Sequence, residues 1–387
     1  MSLHWKAARE SALAIHAVEI HTFDEVELAL PTSAAMMERL KPIWAKVMGR
    51  APSGAEENFF ALGGTPEKAR ALFDAIEKDC GRKLPVFTVV QAPTLGELAE
   101  LVEAPDTPEF PTVTLLRAGA EEPAIFLTHG LGGSVLDLYP TVARLEISNP
   151  VYGLQAKGSD LKSEPLSKVP DMADFFAGAI QKTRPKGPYF LIGYSFGGVV
   201  MFETARRLTA KGERVAFLGI VEGYPYRNFL PATEKLRIKG QLLKRHATIF
   251  SRIPMGKKIG YLTTGTEREA YSSWDDNGNP GRRPPNITFA DADRRRQCEE
   301  LALKSYAPEY FDGKIHFVRA EERIASFPAS PRGAWGTWAR EIVTDITPGD
   351  HFQILSRHYE GLAAILSRRL KEALSENSAS ERRRRPQ

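Results

Sequence analysis

Cysteine is almost missing from this chain: Cys80 and Cys298 are the only two among 387 residues. Two thiols rule out a disulfide framework and a cysteine-built zinc site, and they fit a reducing compartment. Long apolar runs are missing as well. Nowhere do eighteen apolar residues follow one another, so no segment reads as a membrane span. The opening stretch carries Lys6, Arg9 and Glu10 with no apolar core behind it, so no signal peptide is visible. Charge of one sign is also scarce. Lys+Arg 52 against Asp+Glu 48 leaves +4, too little to make nucleic acid the main ligand. What remains, 42% hydrophobic and 26% charged residues, is an ordinary globular composition. The length suits two domains of roughly 100–200 residues each. The expectation is a cytoplasmic, globular, two-domain protein that uses no metal.

Residues 1–31 resist assignment and are treated as an N-terminal extension. Over 32–104 the apolar residues return at helical spacing. Leu40, Ile43, Trp44, Val47 and Met48 form one set, Ala69, Leu72, Phe73 and Ile76 a second, and Leu95, Leu98, Leu101 and Val102 a third behind Pro93-Thr94. This predicts a small all-α helical bundle. Residues 105–111, with Pro105, Pro108 and Pro111, read as a linker. From 112 to 374 short apolar runs alternate with amphipathic stretches. The runs are Val113–Leu116, Ala124–Leu127, Val151–Leu154, Tyr189–Ile192, Val215–Val221, Ile315–Val318 and Ile342–Ile346, with helices expected near 134–145, 171–183, 197–211 and 352–373. That alternation predicts an α/β fold, a mostly parallel sheet with helices on both faces. The gap between Val221 and Ile315 is far too long for a simple connection and reads as an insertion with its own structure. The tail 375–387, ending in four arginines, reads as basic and disordered.

Gly193-Tyr194-Ser195-Phe196-Gly197 stands between an apolar run and a helix. A serine in a strained turn at a strand end is pushed into the crevice above the sheet, and the positions two residues either side must be small. Gly193 and Gly197 meet that need. The pentapeptide alone is a weak signal; between a buried strand and a helix it is a strong one. Ser195 is therefore the candidate nucleophile. It needs a general base from elsewhere in the chain. Of the eight histidines, His351 alone lies in a loop after the last strand, in Gly349-Asp350-His351-Phe352. His358 falls inside the next helix, His316 inside a strand, and His129 in another loop that it is expected to hold by hydrogen bonding. Glu222, at the end of Val215–Val221, is the first candidate for the acid that orients His351, with Glu321 or Glu322, after the next strand, as the rivals. The oxyanion donors are expected to be the N–H groups of Phe196 and of Leu131, the latter in the glycine-rich loop Thr128–Gly133.

These segments carry a resemblance. His129-Gly-Leu-Gly-Gly-Ser134, Gly193-Tyr-Ser-Phe-Gly-Gly198 and Gly349-Asp-His-Phe352, in that order, make residues 112–370 resemble the thioesterase domain of non-ribosomal peptide and polyketide synthases, an α/β-hydrolase fold. The resemblance implies a helical lid over about 224–310 and places the acid at position 222, where the family usually has Asp. Residues 32–104 resemble the acyl or peptidyl carrier protein domain that precedes such a thioesterase, through Ile43-Trp44, Asn58-Phe59-Phe60, Leu62-Gly63-Gly64 and Pro93-Thr94-Leu95. A working carrier has a serine two residues after Leu-Gly-Gly for the phosphopantetheine arm. Here the pair is Thr65-Pro66, and position 66 has no hydroxyl. Thr65 suits a helix N-cap, Pro66 the first helical position and Glu67 the helix dipole.

The function so implied is that of a serine thioesterase in secondary-metabolite biosynthesis. It would act on acyl or peptidyl thioesters of phosphopantetheine, carrier-bound or CoA-bound, and release product by hydrolysis or cyclisation. Phosphopantetheine would arrive on the substrate, so no cofactor is expected on this chain. A synthase is the implied partner. Membrane contact is not favoured, although Lys235–Lys258 carries eight basic residues and no acid. That stretch reads as a solvated lid helix, a dock for an acidic carrier, or a grip on phosphate. A carboxylesterase, an acyltransferase and a non-catalytic docking protein are the other readings.

Overall fold

The computed structural model describes residues 33–105, 110–252, 255, 290–324 and 326–384. The N-terminal extension, the centre of the linker, the middle of the insertion with Lys257 and Lys258, and the last three residues lie outside the described residues.

The first unit is helical. α1 (Ser33–Met48), α2 (Pro66–Cys80), α3 (Thr88–Gln91) and α4 (Leu95–Glu103) wrap a core of Leu40, Trp44, Phe59, Leu72, Ile76 and Leu98. The three apolar sets of the sequence supply that core except for Phe59, which comes from the loop between α1 and α2. Thr65 caps α2 by accepting from Lys68 N–H at 3.3 Å, and Pro66 opens it. Thr94 and Glu97 form a reciprocal capping box at α4. Each cap satisfies N–H groups that a helix start leaves without partners.

The second unit is a seven-stranded sheet in the order β1-β3-β2-β4-β5-β6-β7. Its strands are β1 (Val113–Arg117), β2 (Ile125–Thr128), β3 (Val151–Leu154), β4 (Tyr189–Tyr194), β5 (Val215–Val221), β6 (Phe311–Ala320) and β7 (Ala339–Thr347). Each of the seven predicted runs falls on one of them. β1 runs antiparallel to β3 and every other pairing is parallel. Central strands are buried on both faces, as a parallel sheet between helices requires; β2 and β4 have no exposed residue. On one face lie α6 (Val169–Thr183) and α7 (Phe196–Ala210), against Phe126, Leu191, Leu218 and Phe317. On the other lie α5 (Tyr139–Ala143) and α12 (Tyr359–Arg384), against Ile125, Phe190, Phe217 and Val318. Alternate residues of β5, Phe217 and Leu218, thus serve opposite cores.

Between β5 and β6 the insertion carries α8 (Ala232–Arg252) and α9 (Ala290–Ser305). Tyr306, just past α9, ties it to α7 by donating to the buried Glu203 at 2.8 Å. Short α10 (Pro331–Trp335) precedes β7, and α11 (Gln353–Ser356) stands apart from α12, so the helix predicted over 352–373 is split. The predicted helix over 134–145 is a 3₁₀ turn, Val135–Leu138, running into α5. One expectation fails outright. Residues 375–384 are not disordered, because α12 continues to Arg384. Residues 374–384 hold no glycine or proline, and Ala373 and Asn377 are buried, so helix propensity and packing outweigh the charge run.

Side chains join the two units. Phe60 stacks on Tyr139 with ring centroids 4.1 Å apart, and Arg70 pairs with Asp137. The start of α2 consequently faces the same crevice as the C-terminal ends of the sheet strands.

Candidate active site

β4 delivers Ser195 into a turn with φ +53° and ψ −123°, backbone that a side chain seldom adopts. Ser195 N–H donates to Val221 O at 2.7 Å, and Gly198 N–H donates back to Ser195 O at 2.9 Å. Close packing explains the flanking glycines. A Cβ on Gly193 would stand 2.2 Å from Gly197 O, and one on Gly197 would stand 2.2 Å from His129 O. The turn leaves Ser195 partly open to the crevice while its neighbours are buried.

His351 arrives from the loop between β7 and α11. Asp350 shapes that loop by accepting from Phe352 and Gln353 N–H, both at 2.8 Å. The imidazole is buried, with Nδ1 3.4 Å from Glu222 Oε2. Tyr194, next to the serine, stacks on the ring at 5.1 Å and donates its hydroxyl to His351 O at 2.6 Å. Burial, reinforced by Glu222, Asp137 and Asp350, pushes the Tyr194 phenol well above its ordinary range, so it stays a donor.

Glu222 ends β5 in a second strained residue, φ +51°. Its N–H donates to Val318 O at 2.9 Å, and its Oε1 accepts from Ala320 N–H at 2.8 Å. Gly223 O accepts from the indole of fully buried Trp335 at 2.9 Å. The turn is therefore fixed on both sides, and the other carboxylate oxygen is left for His351. Glu321 and Glu322 are exposed, and their N–H groups pair with Thr347 O and Gly349 O. Of the three candidates for the acid, the fold brings Glu222 alone to His351 among the described contacts.

Phe196 opens α7 and Leu131 sits in the loop after β2, both on the crevice wall. His129 holds that loop: Nδ1 donates to Gly130 O at 2.7 Å, and Nε2 accepts from Ala156 N–H at 3.4 Å. That arrangement requires a neutral ring. Burial first, and Arg295 second, push its pKa down to about 4. His358 packs beneath Gly349, and His316 stacks on Phe217 inside the sheet, so neither competes with His351. Sequence reasoning missed Tyr194, Trp335, Arg295 and Glu299, whose partners lie far away along the chain.

The crevice measures about 1610 Å³ and is lined by Ser195, Glu222 and His351 together with Phe60, Thr65 and Pro66 of the helical unit. At the position where a phosphopantetheine arm would be attached stands buried Pro66, which offers no oxygen, and the Thr65 hydroxyl beside it is engaged as the α2 cap. These residues do not fit the group. Among the described residues no cluster suits a metal ion, and no helix is long and apolar enough to cross a membrane. Cys80 and Cys298 are unpaired.

Residues 123–241 match the family model of the thioesterase domain, and residues 38–102 match that of the phosphopantetheine attachment site. A dimodular nonribosomal peptide synthase of Bacillus subtilis (strain 168) is 33% identical over 198 residues, covering 51% of this chain and 8% of that protein. Atromentin synthetase nps3 of Serpula lacrymans is 32% identical over 178 residues, covering 44% of this chain and 18% of its own length. The chain thus spans less than a fifth of these relatives. A crystal structure of a holo four-domain nonribosomal peptide synthetase bound to AMP and glycine superposes with a TM-score of 0.51 at 21% identity, over 93% of this chain and 27% of that one. The α/β unit is a thioesterase domain of α/β-hydrolase fold, and a helical, carrier-like unit precedes it.

Gly193→Ala should destabilise the α/β unit by about 2–3 kcal/mol through overpacking, whereas Gly178→Ala, at an open position on α6, should gain about 0.5–1 kcal/mol; denaturant unfolding compares them. His129 supplies a pH test whose sign is fixed. Its pKa is lowered on folding, so its contribution is complete above 6.5 and fades as pH falls toward about 4. The wild type should lose stability relative to His129→Gln over that window, measured by thermal unfolding at a series of pH values.

Proposed function

We propose that the chain is a serine thioesterase that cleaves acyl or peptidyl thioesters of phosphopantetheine, presented on a carrier protein or on CoA. The observation that carries this reading is the convergence, in one crevice, of a strained Ser195 and a buried His351 whose Nδ1 is paired to Glu222. Ser195 Oγ attacks the thioester carbonyl as His351 Nε2 takes its proton. Glu222 holds the imidazole in the tautomer with hydrogen on Nδ1 and stabilises the imidazolium that forms. The N–H groups of Phe196 and Leu131 receive the oxyanion. On collapse the pantetheine thiolate leaves with the proton from His351. Water, or a nucleophile within the substrate itself, then releases the acyl group by hydrolysis or cyclisation.

The synthase relatives and the preceding carrier-like unit support a place in secondary-metabolite biosynthesis beside a synthase. The crevice exceeds the roughly 300–1,000 Å³ that a small ligand needs, which suits a long acyl or peptidyl chain. The carrier-like unit itself holds no arm in this reading. It walls the mouth of the crevice, and phosphopantetheine arrives on the substrate.

Two measurements check the proposal. Thiol release from a panel of acyl-N-acetylcysteamine and acyl-CoA thioesters should fall on the order of 10⁶-fold in Ser195→Ala and about 10⁴-fold in Glu222→Ala. Release that survives Ser195→Ala removes the serine mechanism. Treatment with a phosphopantetheinyl transferase and CoA should leave the intact mass unchanged, and a gain of one arm would show that the helical unit is a working carrier.

A further inference from the structure

A loop of glycines has no intrinsic means of keeping one N–H on target, and an oxyanion donor misplaced by a fraction of an ångström loses most of its effect. The loop Thr128–Gly133 is gripped from two sides. From below, His129 Nδ1–H and Gly133 N–H both donate to Gly130 O, at 2.7 and 3.1 Å. In a trans peptide the C=O and N–H point opposite ways, so fixing that carbonyl aims the Leu131 N–H away from it.

From above, the grip comes from α9. Gly132 N–H donates to Glu299 Oε2 at 2.5 Å. Arg295 Nη2 donates to Gly132 O at 3.1 Å and to Gly133 O at 2.9 Å, and its Nη1 to Ser159 Oγ at 3.2 Å. Arg296 lies over Gly132 so closely that a Cβ there would be 3.1 Å from its own Cβ. Glu299 and Arg295 are 2% and 9% exposed, with charged groups 3.7 Å apart. Burying such a pair costs more than exposed pairs return, so stability alone is a weak reason for it. Among the described hydrogen bonds, every partner of the two side chains outside α9 is loop backbone or the Ser159 hydroxyl.

We infer that Arg295 and Glu299 are positioning residues for acyl transfer, setting the Leu131–Gly133 backbone so that the oxyanion donor is in place only when α9 is seated on the loop. This rests on the serine mechanism proposed above. The lid insertion is thereby coupled to the reactivity of Ser195 without touching substrate. The groups around Glu299 are Arg295, Arg296 and Glu300 of α9, His129 of the loop, and Lys157 beyond β3, which lines the same small cavity. Burial pushes the Glu299 carboxyl up to about 7 against the pull of Arg295 and the Gly132 N–H. The ionised form both pairs with Arg295 and accepts the N–H, so the grip tightens as pH rises through that value.

A fluorophosphonate places its phosphoryl oxygen at the oxyanion position, so its rate of labelling reads the loop directly. Labelling is followed by intact mass, alongside kcat and KM for a small thioester. Arg295→Ala and Glu299→Ala should lower the labelling rate and kcat by about 10- to 1,000-fold with KM within about twofold. Glu299→Gln, which keeps an acceptor, should fall only about 3- to 10-fold, and the ratio of wild type to this variant should rise as pH passes through about 7. Arg294→Ala, on α9 like Arg295 but breaking only an exposed pair with Glu164 from the segment between β3 and α6, should match wild type. Wild-type protein that does not label would overturn the serine mechanism itself. Labelling of wild type together with unchanged rates in folded Arg295→Ala and Glu299→Ala would overturn the clamp alone. Should the alanine variants unfold, Glu299→Gln and Arg295→Lys decide by the same test: a lower kcat at constant KM supports the clamp, and wild-type kinetics overturn it.

Discussion

The left-handed turn at Ser195 is the constraint on which the rest of this structure depends. A strand that ends in such a turn must be followed at once by a helix, and strand and helix must meet within backbone contact distance. Gly193, Gly197 and Gly223 are the consequence: a Cβ at any of them would stand within 2.5 Å of a backbone oxygen. The cost of holding one residue in that region, of order 1–3 kcal/mol, is offset by the buried sheet around it. β4 is the middle strand of seven and has no exposed residue. Strain is thus concentrated at the end of a fully buried central strand.

From that centre the site is assembled outward by neighbouring strands. β5 ends beside β4 in a second strained residue, Glu222, and the loop after β7 brings His351 against Glu222 and Tyr194 in the crevice that Ser195 also lines. The same backbone groups serve geometry and packing. Val221 O anchors the serine turn, Val318 O anchors the acid, and Ala320 N–H occupies one carboxylate oxygen so that the other faces the imidazole. Tyr194 closes the arrangement by holding the backbone of His351 from within the serine motif. A glutamate fits at this position because its turn is tied down by Ala320 and Trp335, so the longer arm does not leave the carboxylate loose.

The helical unit shows how a local signal changes meaning with one residue. The capping pattern Thr65-Pro66-Glu67 builds a good helix start at the place where an arm-bearing serine would stand. Hydrogen bonding spends the one nearby hydroxyl on Lys68 N–H. The helix is preserved, its start faces the crevice, and a proline without a hydroxyl stands at position 66.

Periodicity and local turn chemistry were enough to determine the seven strands, the helical sets around Trp44, Leu72 and Leu98 and the α2 cap, and to single out Ser195 and His351 as the candidates that the structure places in one crevice. Each of these rests on neighbours within a few residues, where propensity and steric demand are written in order along the chain. That Glu222, and neither Glu321 nor Glu322, lies against His351 among the described contacts was set only by the fold, because all three follow strands and differ in which loop folds back upon them. Tyr194 against His351, Trp335 against Gly223, and Arg295 and Glu299 against the Gly132 loop were likewise invisible, since each joins segments more than a hundred residues apart. The tail was misread for a related reason. Its charges argue for solvent, but burial of Ala373 and Asn377 against the body of the protein keeps α12 going to Arg384. Short-range order was set by the residues themselves, and long-range contact by the way the sheet stacks its strand ends into one crevice.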